Sequence, residues 1–183
     1  MAYAAGRCSE GASLAVAAHV TLCAECRAEV ARFEALGGAM LAEEPAPAVE
    51  DAAAENDASF AAVAARLDEP ANDDRPRVEA GGGPLPRPVV DAIGLGFDDI
   101  PWRFRLPGVS EYEFVSEEGE TVSLLKVKPG AAIPKHTHKA EELTLVLDGE
   151  LIDGDEVYGP GDVAVADASV HHHPRAGGDR PCI

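Results

Sequence analysis

The spacing of apolar positions changes character once along the chain. Taking His19 as zero, Cys23, Cys26, Val30 and Phe33 fall at +4, +7, +11 and +14. At about 100° per residue these positions share one stripe. The pattern predicts a helix over residues 11–36, started by Ser9 and stopped by Gly37-Gly38. Met1–Gly6 reads as the last turns of an earlier helix ended by Gly6. Residues 43–55 are acidic, proline-bearing and alanine-rich, which predicts a loop. Phe60, Val63, Ala64 and Leu67 then recur at i, +3, +4 and +7, a short amphipathic helix with Asn56 or Asp57 as its cap. A helix that short is unstable alone in water. Phe60, Val63 and Leu67 therefore need a domain or a partner to pack against.

Residues 70–88 break the periodicity, with Pro70, Pro76, Pro84, Pro86 and Pro88 around Gly81-Gly82-Gly83. Such a stretch feeds no core, so a domain boundary is placed there. From about residue 89 the pattern becomes that of strands. Tyr112–Val115 and Thr121–Val127 flank a turn at 117–120, and Leu143–Leu147 ends at Asp148-Gly149, a hairpin signal. Further short strands are expected near 150–152, 156–158 and 162–166. Close spacing with Gly/Pro turns predicts a small barrel or jelly roll. The fold class is α+β in two domains: helical residues 1–69, a linker over 70–88 and a β-barrel over 89–183.

Composition narrows the partners. Against 15 Lys and Arg stand 33 Asp and Glu, a net charge of −18. Phosphate affinity comes mainly from Lys and Arg, so direct nucleic-acid binding is excluded and a basic partner is favoured. No apolar run of about 18 residues exists to span a membrane. The N-terminus does not read as a signal peptide, which predicts a cytoplasmic protein. Cys8, Cys23, Cys26 and Cys182 could form two disulfides. In a reducing compartment, however, Cys-x-x-Cys is more often metal-binding or redox-active.

Two ligand constellations stand out. His19-x3-Cys23-x2-Cys26 offers nitrogen and sulfur, a set that suits zinc, with a fourth donor required from elsewhere. Gly130-x5-His136-x-His138-x3-Glu142-x6-Gly149 offers nitrogen and one carboxylate, which suits zinc, iron, manganese or nickel. His136 and His138 are two apart on an expected strand and so share a face, with Glu142 a further even step along. Of the consecutive His171, His172 and His173, only one or two can point inward. Imidazole binds a metal as the neutral base, so affinity should fall as pH drops through its titration range. Two unlike sites on one short chain suggest a sensor or switch more than a single-step enzyme.

The spacing from Gly130 to Gly149 matches the first cupin motif at every position. Gly154-x5-Pro160-Gly-Asp162 followed by His172 resembles the second. The resemblance implies a cupin barrel over 89–183 in which His136, His138, Glu142 and His172 hold zinc or another divalent transition metal. The order of parts resembles the ChrR-type anti-sigma factors almost end to end. The likeness includes Ala2–Gly6, His19–Cys26, Gly37-Gly38, Phe60–Leu67 and Glu142–Gly149. It implies a helical domain that binds zinc through His19, Cys23 and Cys26. That domain would clamp an extracytoplasmic-function sigma factor in a 1:1 heterodimer and keep it from core RNA polymerase. The cupin domain would answer oxidative signals such as singlet oxygen or organic peroxide. No catalytic residue is implied.

Two departures from the family pattern follow. The family's first zinc-ligating histidine would lie upstream of Met1, and Cys8 is out of place to substitute for it. A late start with the first helix turns lost is therefore expected, and a three-ligand zinc site that is weak or completed by water. Pro181-Cys-Ile183 reads as the opening of a final strand whose loss would expose a barrel edge. The rival reading is a metal-dependent cupin enzyme of dioxygenase or isomerase type. Turnover of a small molecule would favour that rival, and co-purification of a sigma factor the first reading.

Overall fold

The computed structural model describes residues 1–43, 60–66, 83–116, 119–137 and 140–183. The stripe expected to form one helix forms two. α1 spans Glu10–Leu22 and α2 spans Ala24–Glu43, with Cys23 extended between them at φ −102° and ψ 107°. Ser9 caps α1, its hydroxyl accepting the Ala12 N–H. The break is stabilised from both sides. Arg27 donates to the carbonyls of Val20 at 2.6 Å and Thr21 at 3.4 Å, groups that a helix end leaves without partners. Cys23 Sγ accepts the Cys26 N–H at 3.5 Å and so caps α2. Gly37 and Gly38 do not stop α2, which continues to Glu43. Glycine accepts helical dihedrals at about 1 kcal/mol each, and the Ala39-Met-Leu-Ala42 run beyond is strongly helix-forming.

Residues 60–66 are helical (α3). Leu67, the Asn56 or Asp57 cap, the loop expected after Glu43 and the linker up to residue 82 lie outside the described residues. The end of the expected linker is already packed. Leu85 is buried, and Pro86 precedes α4 (Arg87–Ile93), whose first turn contains Pro88, where a missing N–H does no harm.

The remainder is antiparallel β. β1 (Arg103–Leu106), β2 (Val109–Val115) and β3 (Thr121–Val127) form a meander. β4 (Glu142–Leu145) pairs with β7 (Val163–Ala166), and β5 (Leu151–Asp153) lies between β6 (Glu156–Tyr158) and β8 (Arg175–Ala176). Bridges at Val127–Cys182, Ala132–Arg175 and His136–His172 tie the segment after β3 to the returning C-terminal segment. Asp148-Gly149 is not the hairpin its sequence suggests, because β4 and β5 belong to different sheets. Gly149 is needed there for another reason. Its φ is +76°, and a Cβ would lie 2.4 Å from the Pro181 carbonyl oxygen. The segment read as the opening of a final strand is paired. Cys182 exchanges both backbone hydrogen bonds with Val127, and Ile183 pairs with Leu147 and Asp148.

Two apolar clusters hold this together. Val109, Val127, Val146, Leu151, Ala176 and Cys182 fill the barrel. Ala18, Leu85, Val89, Val90, Ile100, Leu124 and Leu147 fill the space between the barrel and helices α1 and α4. β3 serves both, since Leu124 and Leu125 point to opposite faces. Ala18 of α1 is only 1% exposed, so this helix is packed on the barrel rather than separate from it. Among the described residues no helix is long and apolar enough to cross a membrane.

Candidate metal centres

The corner between α1 and α2 builds the first centre. His19 lies in the last turn of α1, Cys23 at the corner and Cys26 in the first turn of α2. A ring nitrogen of His19 and the two sulfurs all lie within 4.8 Å of one another. The sequence placed them on one straight stripe; the structure gathers them by a bend. His19 Nδ1 lies 2.7 Å from the Gly161 carbonyl oxygen. A carbonyl can only accept, so Nδ1 carries the proton and Nε2 is the atom that a metal could take. The Cys26 N–H, followed by the Cys26 thiol, holds the Cys23 thiol below its ordinary range. The hydrogen bond to Cys23 pushes the Cys26 thiol up. One nitrogen and two sulfurs fit zinc, which takes four donors in a tetrahedron. Cys8 is half-buried and is not among the residues gathered here.

The second centre lies where the barrel's two long return segments meet. Donor atoms of His136, Glu142 and His172 lie within 4.8 Å of one another. His138 lies outside the described residues. His136 and His172 exchange backbone hydrogen bonds at 3.2 Å, which sets their rings side by side with centroids 4.5 Å apart. Of the three consecutive histidines, His172 is turned inward while His171 and His173 are exposed. His136 Nδ1 donates to the Pro134 carbonyl at 2.9 Å and His172 Nδ1 to Asp153 Oδ2 at 2.7 Å. Both Nε2 atoms are therefore acceptors, and they face each other at 3.2 Å. Two acceptor nitrogens at that distance are reconciled by a proton or a cation between them. The Thr144 hydroxyl donates to Glu142 Oε1 at 3.2 Å and steadies the carboxylate. This donor set fits a divalent transition metal.

Three supporting residues were missed from sequence. Asp153 orients His172, as carboxylates commonly do for metal-binding imidazoles. Period two from buried Leu151 puts Asp153 on the inward face of β5, a signal that was there to be read. Gly161 orients His19 through a backbone carbonyl, which no side-chain pattern announces. Glu120 accepts the Gly11 N–H at 2.7 Å and so caps α1 from the barrel.

Comparison with known proteins covers both centres. Residues 91–183 match the family described as the ChrR cupin-like domain. The anti-sigma-E factor ChrR of Cereibacter sphaeroides is 39% identical over 184 residues, covering 100% of this chain and 82% of that protein. The crystal structure of Rhodobacter sphaeroides SigE in complex with the anti-sigma ChrR aligns with 99% of this chain and 90% of that one. The TM-score is 0.79 at 36% identity. KdgF from a Halomonas species aligns with 47% of this chain and 83% of its own at 20% identity, with a TM-score of 0.43.

Proposed function

The chain belongs to the ChrR family of anti-sigma factors, and from that premise we propose that it binds and sequesters an extracytoplasmic-function sigma factor in a 1:1 complex. The observation that carries this reading is likeness along the whole length. The relative named as an anti-sigma factor and the one solved with its sigma factor both match helices and barrel together. The family makes the chain a regulator rather than a cupin enzyme. The exposed surface supports the assignment. None of α2 is fully buried, and Leu36, Met40 and Leu41 are exposed, as are Phe60 and Val63 on α3. With Leu67 these residues supply an apolar grip, and a net charge of −18 favours a basic partner. Its place would be the cytoplasm, where sigma factors meet RNA polymerase.

Zinc held by His19, Cys23 and Cys26 would fix the corner between α1 and α2. A complete four-donor site contributes up to about 10–16 kcal/mol of folding free energy, and a three-donor site less. His136, His138, Glu142 and His172 would hold zinc or another divalent transition metal in the barrel. The barrel is the part that answers an oxidative signal such as singlet oxygen and lets the sigma factor go. Release requires that the signal favour one of two states.

The test is capture of a co-expressed sigma factor by the tagged chain, with and without Cys23→Ala and Cys26→Ser. Both variants should lose capture, and undiminished capture by both would refute a zinc-built grip. Replacing Glu142 should leave capture intact and blunt release.

A further inference from the structure

The two ligand triads are bridged by the turn between β6 and β7. Glu142 opens β4, and immediately beyond that strand Val146 is tied to the turn twice. Its N–H donates to the Asp162 carbonyl at 3.0 Å, and its carbonyl accepts the Gly161 N–H at 2.8 Å. Gly161 then turns its own carbonyl outward to accept the His19 Nδ1 proton at 2.7 Å. The turn is held in shape by the Gly159 N–H on Asp162 Oδ2 at 2.8 Å. Val146 is 2% exposed, so the connection runs through the core. α1 closes on the turn from the other side. A Cβ on Gly161 would stand 3.4 Å from the Leu22 Cβ, and the Gly161 φ of +96° suits glycine alone.

We infer that Gly161 is a positioning residue for His19, and that through it the barrel triad and the helical triad set each other's affinity for metal. The inference rests on reading both triads as metal sites. The carbonyl fixes the tautomer and direction of the imidazole that offers Nε2 to the ion. Outer partners of this kind change metal affinity by about 10–100-fold when removed. The same carbonyl moves with the backbone that follows Glu142, so drawing Glu142 onto an ion shifts the group that aims His19. Coupling of this sort is reciprocal: whatever factor barrel occupancy imposes on the helical triad, the helical triad imposes on the barrel.

The experiment is a cobalt(II) titration of the full chain, read by sulfur-to-cobalt charge-transfer absorption. Only the helical triad gives that band, since the barrel triad carries no sulfur. Gly161→Ala should keep the band and weaken the apparent affinity by about 10–100-fold. Gly154→Ala also puts an alanine at positive φ, +60°, with nothing within 4 Å of its new Cβ, and should titrate as the unaltered chain does. Glu142→Gln should shift the helical affinity by about fivefold or more, and the shift should vanish in the Gly161→Ala background. Equal weakening by Gly161→Ala and Gly154→Ala would overturn the inference. So would a Glu142→Gln effect that persists undiminished in the double variant. Absence of the band from the unaltered chain would remove the metal reading itself; a band that no variant shifts would remove only the coupling.

Discussion

Cys23 occupies the position on which the helical centre turns. It ends α1, starts α2, and its sulfur accepts a backbone N–H while its neighbour Cys26 is pushed the other way. In metal-free protein, iodoacetamide should therefore modify Cys23 at the lowest pH, Cys26 at higher pH and buried Cys182 last. Mass spectrometry of the labelled peptides reads this order, and early labelling of Cys182 would contradict the structure. Cys182 makes a second prediction. Burial, followed by Asp148 and Glu150, pushes its thiol up from 9.0 to about 11. The folded state thus favours the neutral form. That stabilisation is whole below pH 9 and is lost as pH rises through 11. Its size is up to about 3 kcal/mol. In urea unfolding, the unaltered chain should lose up to about 2 kcal/mol against Cys182→Ala between pH 9 and 11; parallel pH curves would contradict it. At this scale the grouping of His19 with Cys23 and Cys26, and of His136 with Glu142 and His172, was legible in the sequence. Their orienting partners were not, because Gly161 acts through its backbone and Glu120 lies far away in sequence.

The helices divide by how they are held. α1 is fixed along its length: Glu120 caps its first turn, Ala18 is buried at its middle, and Gly161 holds His19 near its end. Glu120→Ala should cost about 1 kcal/mol in urea unfolding, the usual value of a helix cap; no change would mean that the carboxylate does not cap α1. α2 and α3 are the opposite case. Leu41 is 76% and Phe60 75% exposed, so Leu41→Ser and Phe60→Ser should leave stability within about 0.5 kcal/mol. Both should nevertheless weaken sigma-factor capture about tenfold or more, as loss of an interface anchor does. Strands β3 and β6 could be placed to the residue because glycine and proline turn residues bound each of them closely. β1 escaped because its bulky Phe104 is the exposed residue, which inverts the pattern. α4 escaped because it is short and begins inside the proline-rich run, although proline in a first turn is itself a start signal. The break in the first helix escaped because the +4, +7 spacing persists across a bend.

The molecule as a whole joins its first helix to a β-barrel through one shared core. Sequence alone suggested two parts on either side of a linker, and composition gave no sign that Ala18 of α1 would pack with Leu124 and Leu147 of the barrel. That packing gives a change in the barrel a physical route to the helices. The family assignment was legible because the His19–Cys26 segment and the Gly130–Gly149 spacing stand in that order along the chain. The most direct test of the account is the mass of the complex formed with a co-expressed extracytoplasmic-function sigma factor, followed by light scattering before and after a chelator strips the zinc. The expected result is a 1:1 complex that carries zinc and separates once the metal is removed. Separate elution of the zinc-loaded chain and the sigma factor, or a complex indifferent to chelation, would contradict it.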